Sequence, residues 1–127
     1  MNSPEEVTRV RRFLLEREEK MRQARELARG QVIARLKHAL QVVAPLFPVD
    51  RVYLYGSMLS GRWRQDSDLD LAVEGDLSSS ELFKLWAELD RLLEQEIDLR
   101  EMSRLPFREK IQREGILLYE RKDPSPY

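Results

Sequence analysis

With 127 residues, 42% of them hydrophobic, the chain is expected to form one domain with a modest core and to leave no room for a separate substrate domain. It has no cysteine, which excludes disulfides and thiolate metal sites and suits a reducing cytoplasm, and it shows no apolar run of the kind that secretion or a membrane span requires. A net charge of −1 argues against a general nucleic-acid binder, although residues 1–45 hold ten Lys/Arg against six Asp/Glu and leave the remainder acidic.

Residues 4–29 read as one long helix, opened by Ser3 as N-cap, Pro4 in the first position and Glu6 in a capping-box spacing, with Gly30 as its expected stop. Val7, Val10, Leu14, Met21, Ala24 and Ala28 form a thin three-four seam that Arg17 interrupts, and the rest of the surface is charged. Residues 1–30 are therefore expected to be a helical extension whose seam needs cover, from its own domain, a second copy or another protein. Interleaved acids and scarce aromatics argue against RNA on this helix. A second helix is expected over Gln31–Val43, with Val32, Ile33, Leu36, Ala39, Leu40 and Val43 inward; Pro45 and Pro48 close it, and His38 falls on its outer side.

The chemistry is concentrated in residues 53–73. Val52–Tyr55 is β-branched, aromatic and apolar, Gly56-Ser57 breaks the pattern, a short helix follows over Met58–Arg62, and Asp68–Val73 alternates polar with apolar as a half-buried strand. The alternation sends Leu69, Leu71 and Val73 to one face, and Asp68 with Asp70 to the other. Two converging carboxylates repel unless a cation lies between them, and sparse hard oxygen ligands suit Mg²⁺, which completes its shell with water and substrate phosphates. Gly56 lets the backbone approach a ligand, Ser57 adds a hydroxyl at the start of the helix, and Arg62 and Arg64 bring guanidinium groups to the loop where phosphates would lie. Trp63, between the arginines, is placed either to stack on a base or to anchor the loop. Gly-Ser followed after ten residues by Asp-x-Asp arises by chance in roughly one chain of this length in a thousand.

After a turn at Gly75-Asp76, one of Ser78–Ser80 caps a helix to about Leu93 whose Leu82, Phe83, Leu85, Trp86, Leu89, Leu92 and Leu93 cover a sheet. Glu94–Arg100 alternates again; Ile97 and Leu99 face the core, and Asp98 faces with Arg100 toward the first two acids, Glu96 being the rival third acid by parity. Pro106 opens a short helix to about Arg113, Gly115 ends it at the C′ position, Ile116–Glu120 is the last strand, and 121–127 is expected to be a mobile tail. The fold class is α/β, a mixed sheet of about four strands with helices mainly on one face and the Asp-bearing face open.

Gly56, Ser57, Asp68, Asp70 and Asp98 in this order and spacing resemble the motif of the DNA polymerase β-like nucleotidyltransferases, and within them the small minimal nucleotidyltransferases; the resemblance spans residues 31–120, the expected catalytic domain, without a departure in the motif. It implies that fold and nucleotidyl transfer from a nucleoside triphosphate to an acceptor hydroxyl. Asp68, Asp70 and Asp98 would hold two Mg²⁺ ions, and Asp98 would help deprotonate the acceptor. Proteins similar to this one act as antitoxins, which implies ATP as donor, a HEPN ribonuclease toxin as partner and its tyrosine hydroxyl as AMP acceptor. Two rivals stand beside it: an idle antitoxin that blocks its toxin sterically, and transfer to RNA or to a small hydroxyl compound.

Overall fold

The computed structural model describes residues 3–122 as one layered α/β unit: helix α1 (Pro4–Val43), strands β1 (Val49–Tyr55) and β2 (Leu69–Gly75), helix α2 (Ser79–Leu92), strand β3 (Ile97–Glu101), helix α3 (Arg108–Glu114) and strand β4 (Ile116–Glu120). Short 3-10 turns occupy Ala44–Leu46, Gly56–Leu59 and Met102–Arg104. The strands form one mixed sheet in the order β3-β2-β1-β4, with β1 antiparallel to β2 and β4, and β2 parallel to β3. Among the described residues no helix is long and apolar enough to cross a membrane.

The expected stop at Gly30 is absent: α1 runs unbroken for 40 residues, about 60 Å at the usual rise. A glycine inside a helix costs only about 1 kcal/mol relative to alanine. Beyond it Val32, Leu36, Ala39, Leu40 and Val43 recur at helical spacing and are all buried, and that burial holds the turn at Gly30 in register with them. At the other end the Ser3 hydroxyl accepts the Glu6 N–H at 3.2 Å, and Pro4 fills the first turn as expected. The seam from Val7 to Ala24 is exposed, so its own domain does not cover it; burial begins at Ala28.

α1 and α2 pack on one face of the sheet. Leu54, Leu69, Leu71, Val73, Ile97 and Leu99 point into that layer and meet Leu36, Leu40, Leu85 and Leu89, all essentially without solvent contact. Each such leucine is worth roughly 1.5–3 kcal/mol of transfer free energy. Ser78 caps α2 with a complete capping box, its hydroxyl accepting from the Glu81 N–H at 3.1 Å and its N–H donating to Glu81 at 3.0 Å. Trp86 is half-buried against this core and His38 is exposed, both as expected.

The opposite face is less open than expected. Tyr53, Ala72, Met102, Leu105 and Ile111 make a second small cluster there with half-buried Tyr55 packed against it, so the turn at Met102–Arg104 and α3 roof part of that face. Gly115 follows α3 with φ −68°, not in the left-handed C′ conformation that was expected. Space explains the residue: a Cβ there would lie 2.6 Å from the Ile111 carbonyl oxygen. Residues 123–127 of the expected tail lie outside the described residues, whereas Arg121 is held to β1 by its N–H donating to the Asp50 carbonyl at 2.8 Å.

Candidate active site

The site grows from the sheet register. Tyr55 at the end of β1 is paired with Asp70 on β2, and Asp70 with Asp98 on β3, so the three side chains form one row on the face away from α1 and α2. The buried Leu54, Leu71 and Leu99 on the other face fix that orientation, since a slip of one residue would turn every leucine outward. β2 begins at Leu69, leaving Asp68 exposed just ahead of the strand where the expectation had it inside. Glu96, the rival acid, lines a different hollow together with Asp66, and the Glu96 carbonyl accepts the Leu69 N–H at 2.9 Å.

After β1 the chain reverses at Gly56, the single residue with positive φ (78°) among those described. Two constraints require glycine: that conformation, and the fact that a Cβ would stand 2.2 Å from Asp70 Oδ2. The backbone of the Gly-Ser turn is thus pressed against the central carboxylate, with Ser57 half-buried beside it. The helix expected over Met58–Arg62 is a single 3-10 turn ending at Leu59, because Gly61 and Arg62 enter a turn and Ser60 closes the segment by donating both N–H and hydroxyl to the Ser57 carbonyl. Its first N–H groups still lack intrahelical partners, but the dipole behind them is short.

Trp63 resolves as the anchor of this loop: it is 3% exposed within the main core, which excludes base stacking. Arg62 and Arg64 on either side of it are exposed and take part in no ion pair among the described residues. Two other arginines hold the loop. Arg29 Nε donates to the Met58 carbonyl at 2.7 Å and Arg25 Nη1 to the Gly61 carbonyl at 3.3 Å, both reaching from α1. Their i,i+4 spacing placed them on one helix face, but nothing local indicated a loop about thirty residues downstream as their target.

Electrostatics single out Asp70. Burial raises its pKa above the ordinary carboxylate value, and the neighbouring Asp98 and Asp68 raise it further, against a smaller opposing effect of Arg100. Tyr55 is likewise pushed up, first by burial and then by Asp70. Arg100 forks onto Asp98 with Nε–Oδ1 3.3 Å and Nη2–Oδ2 3.2 Å, a solvent-screened pair that parts easily. Among the described residues no three acids stand close enough to form a ready-made metal cluster, consistent with Asp98 being turned to Arg100. The donor set nevertheless fits Mg²⁺: three hard carboxylates, one of them destabilised by the other two, beside a backbone turn open to phosphate. A hollow of about 570 Å³ lies elsewhere, between α1 and residues 65–67 and 94–96, and shares no residue with the carboxylate row. Register and charge, not volume, mark the site.

A family model described as "Polymerase beta, Nucleotidyltransferase" matches residues 37–124. Among solved structures, a candidate minimal nucleotidyltransferase is 32% identical with TM-score 0.59, the match covering 69% of this chain and 93% of that one. A toxin–antitoxin structure with AMP-PNP is 21% identical with TM-score 0.54, covering 72% of this chain and 75% of that one. A complex of tri-AMPylated HEPN toxin from Shewanella oneidensis with MNT antitoxin is 18% identical with TM-score 0.51, covering 75% of each chain. The last two likenesses are of fold. A search of curated proteins found no match.

Proposed function

The chain belongs to the polymerase β nucleotidyltransferase family, and from that premise we propose that it is the antitoxin of a toxin–antitoxin pair, transferring AMP from ATP to a tyrosine hydroxyl of a HEPN ribonuclease toxin. The observation that carries the reading is the row Asp70–Asp98 with Gly56 against Asp70, two carboxylates beside a glycine turn, which supports a site for a metal-escorted triphosphate. Support for the partner comes from the fold likeness to complexes named as toxin–antitoxin pairs, one with AMP-PNP and one with an AMPylated HEPN toxin.

In this mechanism the Gly56 backbone and the Ser57 hydroxyl hold the triphosphate tail, with Arg62 and Arg64 free to swing onto it from the loop. Asp68, Asp70 and Asp98 would hold two Mg²⁺ ions, which when bound neutralise phosphate charge and favour the leaving pyrophosphate. Asp98, released from Arg100, accepts the proton of the incoming tyrosine hydroxyl. The phenolic oxygen attacks the α-phosphorus in line; the new P–O bond forms as the bond to the bridging oxygen breaks, and pyrophosphate leaves. The exposed seam of α1 is the assembly surface, toward the toxin or a second copy.

The test is to incubate the protein and its partner with ATP and Mg²⁺ and weigh the products. A partner heavier by one AMP, with the gain abolished in Asp68→Asn, is the expected result. Full neutralisation of the toxin by Asp68→Asn, without any mass change in either case, would establish steric blocking instead, and a modified RNA or small hydroxyl compound would move the acceptor to that class.

A further inference from the structure

One hollow next to the site is apolar. It holds about 540 Å³ between the Gly-Ser turn and α3, and is lined by Tyr55, Gly56, Leu59, Phe107 and Ile111, with Lys110 and Glu114 at its rim. Its walls are apolar groups left uncovered: Phe107 is 44% exposed and Leu59 37%. Phe107 and Tyr55 stand in an aromatic corner, their centroids 5.9 Å apart and their planes at 60°, tilted and not stacked face to face. A volume in the range of small-molecule pockets, walled by aromatic and aliphatic groups with few polar ones, is the form a flat heterocycle recognises.

Its position decides what enters. Gly56 lines this hollow and is also the residue pressed against Asp70, while Tyr55 is the register partner of Asp70. A ligand with phosphates at the Gly-Ser turn therefore has this hollow next to it, Gly56 being shared by both.

We propose that this hollow is the base pocket of the donor: it takes the purine of the nucleoside triphosphate, stacked in the Tyr55–Phe107 corner and flanked by Leu59. The inference rests on the donor reading above and adds the surface that distinguishes a nucleotide from a bare polyphosphate. Lys110 and Glu114, one turn apart on α3, offer a donor and an acceptor to the purine edge.

Calorimetric titration of the whole protein in Mg²⁺, with ATP and with inorganic tripolyphosphate, separates the two parts of the site. Stacking on one aromatic ring is worth about tenfold or more in affinity. ATP should bind at least about tenfold more tightly than tripolyphosphate, and Phe107→Ala should remove about that factor for ATP while leaving tripolyphosphate unchanged. Leu59→Ala, at a second exposed position, should act in the same direction, whereas Ser57→Ala should weaken both ligands. Unchanged ATP affinity in both Phe107→Ala and Leu59→Ala would overturn the pocket while leaving the phosphate site standing. So would an unchanged ATP affinity with a raised KM for the acceptor, which would assign the hollow to the acceptor side chain. Failure of the wild-type protein to bind either ligand would remove the donor reading and the pocket with it.

Discussion

Asp70 is held where its charge is least comfortable. It is half-buried, in register with Asp98, and so close to Gly56 that no Cβ fits between them, and its pKa is raised first by burial and then by the two other acids. A carboxyl whose folded pKa lies above its unfolded value gives stability that is full below the unfolded value and lost as pH rises through the folded one. At neutral pH the ionised Asp70 is therefore a net cost to the fold, kept small by solvent screening. Asp70→Asn should abolish transfer and yet melt roughly 2 °C higher than wild type at pH 7, with the difference vanishing as pH falls below the ordinary carboxylate value of 3.8. Scanning calorimetry at two pH values checks it, and an Asn variant less stable than wild type at pH 7 would show that the acids are not in conflict. Mg²⁺ should raise the wild-type midpoint and leave that of the variant nearly unmoved.

Among the elements, the strands were legible because their inward positions are leucines, isoleucines and valines at a period of two: Leu69, Leu71 and Val73, then Ile97 and Leu99. Once those faces are fixed, Asp70 and Asp98 have only one side to occupy. What misled was punctuation. Gly30 read as a helix stop yet lies inside a continuous helix, and Gly115, which does end α3, is glycine for want of space against Ile111 and not for a left-handed conformation. The bracing of the loop by Arg25 and Arg29 was illegible for a different reason, since a contact across about thirty residues exists only after the fold has formed. Gly30 makes a direct test. A Cβ added there meets nothing within 4 Å, so Gly30→Ala should stabilise the protein by roughly 0.5–1 kcal/mol through helix propensity alone, without change in activity. Urea unfolding measures it. A loss of stability would mean that α1 bends at this residue in solution.

At the scale of the molecule, α1 carries three different duties along its length. Its last third builds the core through Val32, Leu36, Ala39, Leu40 and Val43, its middle ties the loop after the Gly-Ser turn through Arg25 and Arg29, and its first twenty or so residues bury nothing of their own. That outer part is not merely charged: Val7, Val10, Phe13, Leu14, Leu15 and Met21 are all exposed, and an isolated helix of this length is marginal in water unless its apolar side is covered. Removing residues 1–24 should therefore leave the core and both loop contacts in place, with a melting temperature within about 3 °C of the full chain and ATP binding unchanged. The truncated protein should at the same time lose self-association in light scattering, or lose at least tenfold in affinity for the toxin, about 1.4 kcal/mol. Extending the deletion through Gly30 strips Arg25 and Arg29 as well, and should lower transfer activity even with saturating acceptor, because the Met58 and Gly61 carbonyls are then released beside the Gly-Ser turn. If removal of 1–24 changes neither the mass in solution nor the affinity for the partner, the outer helix is not an assembly surface; if the longer deletion is no worse in catalysis than the shorter, the two arginines do not position the site.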